Sequence, residues 1–158
     1  MSKVPKIPKM PGPSRYVGGG YLENYMHPKE GRERVKRGLK VLDRYKDVFD
    51  TIAYRGMSGA LFAPELSRVL DKHLILVRKS KKDNHAGCLV EGNKLCKNYI
   101  IVDDFINTGK TVKTIQKEIK KFAPKAKCIG VLEIRYLSST REANTYEINC
   151  SYNTELGE

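Results

Sequence analysis

Apolar and polar positions along the chain fall into two regimes that change near residue 29. Residues 1–28 show no apolar period and hold five of the seven prolines (Pro5, Pro8, Pro11, Pro13, Pro28), together with Gly18-Gly19-Gly20. Such a stretch reads as an extended arm without a core of its own, ordered only by packing on the body or on a partner. Beyond it, Val35, Leu39, Leu42 and Phe49 recur at helical spacing, with Arg32, Arg34, Lys36, Arg37, Lys40 and Arg44 on the other faces. That pattern predicts an amphipathic helix over 30–46.

From residue 50 the pattern alternates between short apolar runs and helical stripes. Strands are expected at 50–54, 73–77, 99–102 and 128–134, and an edge strand at 145–150, where polar and apolar residues alternate. A glycine-rich turn at 55–59 leads into a helix through Ala60, Leu61, Leu66, Val69 and Leu70, whereas residues 78–98 are a long polar stretch. A further helix, over about 109–122, carries the stripe Val112, Ile115, Ile119 and Phe122. Continuous apolar strands separated by helices predict a parallel sheet covered by helices on both faces. The 158 residues suit one domain, so the expected organisation is an arm over 1–28 and one α/β domain over 29–158.

Composition removes some classes of protein. Hydrophobic residues make up 40% and charged residues 30%, ordinary for a globular chain, and the longest apolar runs reach only four or five residues. A bilayer span needs about 20, and no apolar segment follows the basic start of the chain, so a cytoplasmic protein is expected. Cys88, Cys96, Cys128 and Cys150 form no CxxC pair and lack a neighbouring His at ligand spacing, which argues against a zinc site. Cys128 and Cys150 fall in strand-like runs and are expected to be small buried hydrophobes. The formal charge of +12 attracts polyanions, either nucleic acid or a phosphate-rich small substrate, and also serves solubility. Nucleic acid could meet the basic arm and helix 30–46; a solvated face is the plainer reading of both.

The candidate chemistry lies where the strand 99–102 runs into Asp103-Asp104 and then into Phe105-Ile106-Asn107-Thr108-Gly109-Lys110-Thr111 and a helix. Ligands of parallel α/β sheets bind beyond the carboxyl ends of strands. Two adjacent carboxylates there need partners, and a vicinal diol offers two hydroxyl donors. Asn107, Thr108, Gly109, Lys110 and Thr111 place glycine and hydroxyl residues at a helix N-terminus, which favours a phosphate. Diol and phosphate at this separation suit a ribose 5-phosphate. Gly109-Lys110-Thr111 also ends like a Walker A loop, but that motif needs a glycine where Asp104 stands, and the P-loop reading fails.

Four apolar residues, two acids, three variable residues and Thr-Gly-x-Thr resemble the binding signature of type I phosphoribosyltransferases for 5-phosphoribosyl-1-pyrophosphate (PRPP). Asn107 stands where Ala or Thr is more usual. Upstream, Ala53-Tyr54-Arg55-Gly56-Met57-Ser58-Gly59 resembles the family's pyrophosphate loop. Residues 77–92 are similar to the mobile loop of orotate phosphoribosyltransferases. That likeness sets Lys79 against the pyrophosphate and puts Lys82 and His85 on a closing loop over 79–97. The His falls one residue late, so Lys81 and Lys82 both remain candidates for the loop lysine. A stretch of about 20 residues without structure in a compact domain also reads as a lid or as disordered.

The resemblance implies displacement of pyrophosphate by a ring nitrogen, with Mg²⁺ held mainly through substrate, no direct protein ligand to the metal, and a homodimer. Asp103 and Asp104 would fix the ribose hydroxyls, and Arg55, Lys79, Lys82 and the metal would neutralise the leaving group. The acceptor is a nucleobase-type molecule, orotate or another purine or pyrimidine, and Arg135 or Arg141 could pair with an acidic one. Residues 1–49 match no known hood, which implies a small or atypical one. The other reading is a non-catalytic regulator of this fold that senses PRPP or nucleotides and binds RNA or DNA.

Overall fold

A computed structural model describes residues 22–82, 85, 87–137 and 147–153. Within them, five strands form one sheet in the order β3-β2-β1-β4-β5, namely β1 Thr51–Tyr54, β2 His73–Val77, β3 Val90–Gly92, β4 Asn98–Asp103 and β5 Lys127–Glu133. Strands β2, β1, β4 and β5 run parallel, and β3 pairs antiparallel to β2. The α-helices among the described residues are α1 Glu23–Met26, α2 Pro28–Asp43, α3 Gly56–Leu70 and α4 Lys110–Phe122.

Alternation along the central strands feeds two cores. Ile52, Ile100 and Val102 face α2 and α3, where they pack with Val41, Leu42, Phe62 and Leu66. Ala53, Tyr99 and Ile101 face α4 and meet Val112, Ile115 and Ile119. Each face buries a continuous apolar layer, and that burial is the main stabilising term. The chain passes from β1 through α3 to β2 on one side, and from β4 through α4 to β5 on the other. The direction of winding therefore reverses between β1 and β4, and a crevice opens beyond their carboxyl ends.

Helix α2 starts where Pro28 takes the first turn and the His27 ring accepts a hydrogen bond from the Lys29 N–H at 3.3 Å. Within the cluster predicted to be a solvated basic face, two arginines turn inward. Arg34 Nη1 donates to the Ile134 carbonyl and Arg37 Nη1 to the Leu137 carbonyl. Arg32, Lys36, Lys40 and Arg44 remain exposed.

Several details differ from the expected plan. The sheet is parallel as expected except at one edge, where the polar stretch 78–98, expected to lack structure, contains β3, paired as Val77↔Val90 and Ile75↔Gly92. Three residues are too few to show a period, and only glycine fits at 92, since a Cβ there would lie 2.1 Å from the Leu74 carbonyl oxygen. Of the edge strand expected at 145–150, residues 145–146 lie outside the described residues; 147–153 make a bridge, Asn149 to Val131, and then a tight helical turn over Cys150–Tyr152. Cys150 is exposed there while Cys128 is buried, and Val69 of the α3 stripe is 65% exposed. Of the residues 1–28 assigned to the arm, 22–28 are described; they include α1, whose Tyr25 meets the Phe62 ring edge-on at 5.7 Å, and Pro28, the first residue of α2. The rest of the arm, 1–21, lies outside the described residues.

Candidate active site

Asp103 ends β4, and Asp104 follows it; both are only 6% exposed. Asp103 Oδ1 accepts from Ser58 Oγ at 3.3 Å and from the Asp104 N–H at 2.9 Å. Burial, reinforced by the neighbouring Asp104 carboxyl, pushes the Asp103 carboxyl up to about 7. The Asp104 carbonyl accepts from the Arg135 N–H at 2.8 Å, which ties the acid pair to the turn after β5.

The loop to α4 then turns back on itself. The Ile106 N–H donates to Glu133 Oε1 at 2.9 Å, and Gly109 enters α4 in the left-handed region at φ 72°. A side chain at Gly109 would meet the Tyr152 hydroxyl at 2.7 Å, and Gln116 Nε2 holds the Tyr152 carbonyl at 2.8 Å. The N-cap Gly109 has no side chain to cap α4 and no acid lies in the first turn; the Lys110 N–H makes one long bond, to Thr108 Oγ1 at 3.4 Å, which leaves the following amides open to an anion.

Beyond β1, Arg55 leads into Gly56, whose φ of 75° suits glycine. A Cβ at Gly56 would lie 3.2 Å from Lys79 Cε, so the lysine that follows β2 crosses directly over this turn. Arg55 Nε is buried with no hydrogen-bond partner among the described residues, a cost that an incoming anion would relieve.

These two ends border one cleft of about 1050 Å³. It brings together Arg55, Gly56, Met57, Ser58 and Lys79 with Asp103, Asp104, the whole of Asn107–Thr111, and Arg135. Lys82 and His85 are exposed and do not line it, and Arg141 lies outside the described residues. The sequence reading missed the other wall. Phe105, 37% exposed, lines the cleft with the Arg135 guanidinium 5.4 Å from its ring centre. Leu22 and Tyr25 close the same side. An aromatic residue directly after the acid pair was a usable signal for Phe105. Nothing local marks Leu22 and Tyr25, which reach the cleft only through the packing of α1. Among the described residues, no group of three or more His, Cys, Asp and Glu side chains converges on a metal position. Among them, too, no helix is long and apolar enough to cross a membrane.

Fold and cleft together define an α/β protein with a cleft at the switch point of a doubly wound sheet. The chain belongs to the phosphoribosyl transferase domain family, whose model matches residues 40–154. Orotate phosphoribosyltransferase from Aeropyrum pernix superposes with a TM-score of 0.54 at 15% identity, over 71% of this chain and 65% of that one. The enzyme from Francisella tularensis gives 0.56 at 16%, over 80% and 60%. Adenine phosphoribosyltransferase from Saccharomyces cerevisiae gives 0.55 at 23%, over 75% and 76%. This chain thus spans less than two thirds of the length of either orotate enzyme, and at these identities the likeness is one of fold. No curated protein matches the sequence.

Proposed function

We propose that the protein transfers 5-phosphoribose from PRPP to a ring nitrogen of a nucleobase-type acceptor and releases pyrophosphate. The observation that carries this reading is the buried pair Asp103-Asp104, set between an open helix N-terminus and a turn whose arginine nitrogen has no partner among the described residues. The two carboxylates accept from the ribose hydroxyls, and Asn107–Thr111 receives the 5′-phosphate. The diphosphate extends toward Arg55, Gly56, Met57, Ser58 and Lys79. Anchoring both ends fixes the anomeric carbon against the acceptor, an orientation effect.

In the transfer, the bond from the anomeric carbon to the diphosphate oxygen breaks and its electron pair leaves with the diphosphate. The acceptor nitrogen supplies the pair for the new bond. Arg55 and Lys79 stand where that negative charge collects. Lys82 and His85 are outside the cleft, and we assign them to a closed form that shields the reacting carbon from water. Phe105 and Arg135 offer the acceptor an aromatic face beside a forked donor. Mg²⁺ fits as an ion held mainly through the oxygens of PRPP, because the diphosphate supplies hard oxygen donors and the cleft that would take it is wide enough for both. When bound, it would neutralise diphosphate charge. The reading implies a role in nucleotide biosynthesis or salvage, in the cytoplasm.

The test supplies protein with Mg²⁺, PRPP and a panel of bases that includes orotate and adenine, and follows pyrophosphate release. One base should support turnover, and Asp104→Asn should lower it at least a hundredfold. PRPP binding with no pyrophosphate released across the panel would sink the enzyme reading and leave a PRPP-sensing regulator.

A further inference from the structure

We propose that Arg34 and Arg37 of α2 are positioning residues that clamp the acceptor-side wall of the cleft. This inference rests on the reading of Phe105 and Arg135 as the acceptor's neighbours. The two arginines stand three residues apart, about one helical turn, and their targets are likewise three residues apart. Arg34 Nη1 donates to the Ile134 carbonyl at 3.2 Å, and Arg37 Nη1 donates to the Leu137 carbonyl at 2.9 Å. Between those two carbonyls lies Arg135, whose N–H holds the Asp104 carbonyl and whose guanidinium faces Phe105. The bonds therefore fix both ends of the turn that delivers Arg135 to the cleft.

Arg34 also reaches α1. Its guanidinium lies 4.6 Å from the centre of the Tyr25 ring, and Tyr25 lines the cleft and packs on Phe62. One side chain thus joins α1, α2 and the turn after β5, the elements that supply Tyr25, the clamp and Arg135. A guanidinium can stack on a ring and donate in its own plane at the same time, which an ammonium cannot. Arg34 Nε is buried without a partner among the described residues, so this geometry is kept at the cost of an unmet donor. The clamp sets how α1 and the post-β5 turn face the acceptor.

Amide exchange and steady-state kinetics on the full chain test the clamp. In Arg34→Ala and Arg37→Ala, the amides of Arg135 and Leu137 should exchange at least tenfold faster while those of β1 and β4 keep their protection. The acceptor KM should rise at least tenfold with PRPP affinity held within twofold. Arg37→Lys should recover part of the loss, because an ammonium can still reach a carbonyl, whereas Arg34→Lys should recover little. Lys40→Ala, an exposed charge on the same helix, should change neither reading. Exchange that is unaltered at 135–137, or that rises throughout the sheet, overturns the clamp; if an alanine variant fails to fold, the two lysine variants decide the question by the same measurements. A looser turn with no selective rise in acceptor KM overturns its role in positioning. Failure of the transferase reading shows separately, in wild-type protein that neither binds PRPP nor uses any base, and the exchange data then still decide whether the clamp exists.

Discussion

Asp103 sits in the free protein under an electrostatic load that the proposed ligand would lift. Its carboxyl is raised from the ordinary aspartate range to about 7, by burial first and then by Asp104. A raised acid pKa means that the fold favours the protonated form. The associated stability is fully present below the ordinary aspartate pKa and is lost as pH climbs through about 7. Asp103→Asn should therefore stabilise the free protein by roughly 2 kcal/mol more at pH 8 than at pH 3, where the folded and unfolded forms of the chain both carry a protonated carboxyl. Urea unfolding at the two pH values checks this, and an equal gain at both would remove burial of charge as the cause. The same variant should bind PRPP poorly, since the diol needs ionised acceptors. Stability and function pull in opposite directions at this residue.

At the scale of elements, the cleft depends on how closely α3 approaches the sheet. Gly59 lies in the first turns of α3, where an added Cβ would come within 2.7 Å of Tyr54 Cβ and 3.0 Å of the Val102 carbonyl oxygen. Both obstacles belong to the central strands and neither can swing aside. Gly59→Ala should cost about 1–3 kcal/mol, as overpacking of a filled interior does. It should also weaken PRPP binding, because α3 carries Ser58 to its contact with Asp103. Denaturant midpoints and PRPP titration read the two effects separately. An unchanged midpoint would show that α3 can slide without loss.

For the whole molecule, net charge and assembly carry the remaining expectations. A charge of +12 with Lys29, Arg32, Lys36 and Lys40 exposed along α2 predicts an attraction to nucleic acid at low salt, which a binding titration checks. If that attraction is only electrostatic, log K should fall linearly with log salt and be indifferent to sequence. A sequence-selective complex that survives moderate salt would instead favour the regulator. The proposed homodimer predicts twice the chain mass in sedimentation at micromolar concentration. A fully active monomer would rule that assembly out.

Much of this was readable from residues alone, for a definite reason. The strand 98–103, the acid pair and the turn into α4 are contiguous, so their chemistry follows from local order along the chain. The apolar periods of α2 and α4 and the central strands also declared the two-faced sheet, because burial on both sides leaves a one-dimensional trace. By itself the sequence thus determined the layered α/β plan and the residues proposed to hold a ribose phosphate and its leaving group. It did not show β3, whose three residues gain their pairing only from β2, nor the outward turn of Cys150. Nor did it show that Arg34 and Arg37 leave the solvated face to bond carbonyls 100 residues away. Only the tertiary structure decided those points, and with them the meeting of Tyr25 with Phe105 and Arg135 around one cleft. Each depends on contacts between segments far apart in sequence, and such contacts leave no period or motif behind.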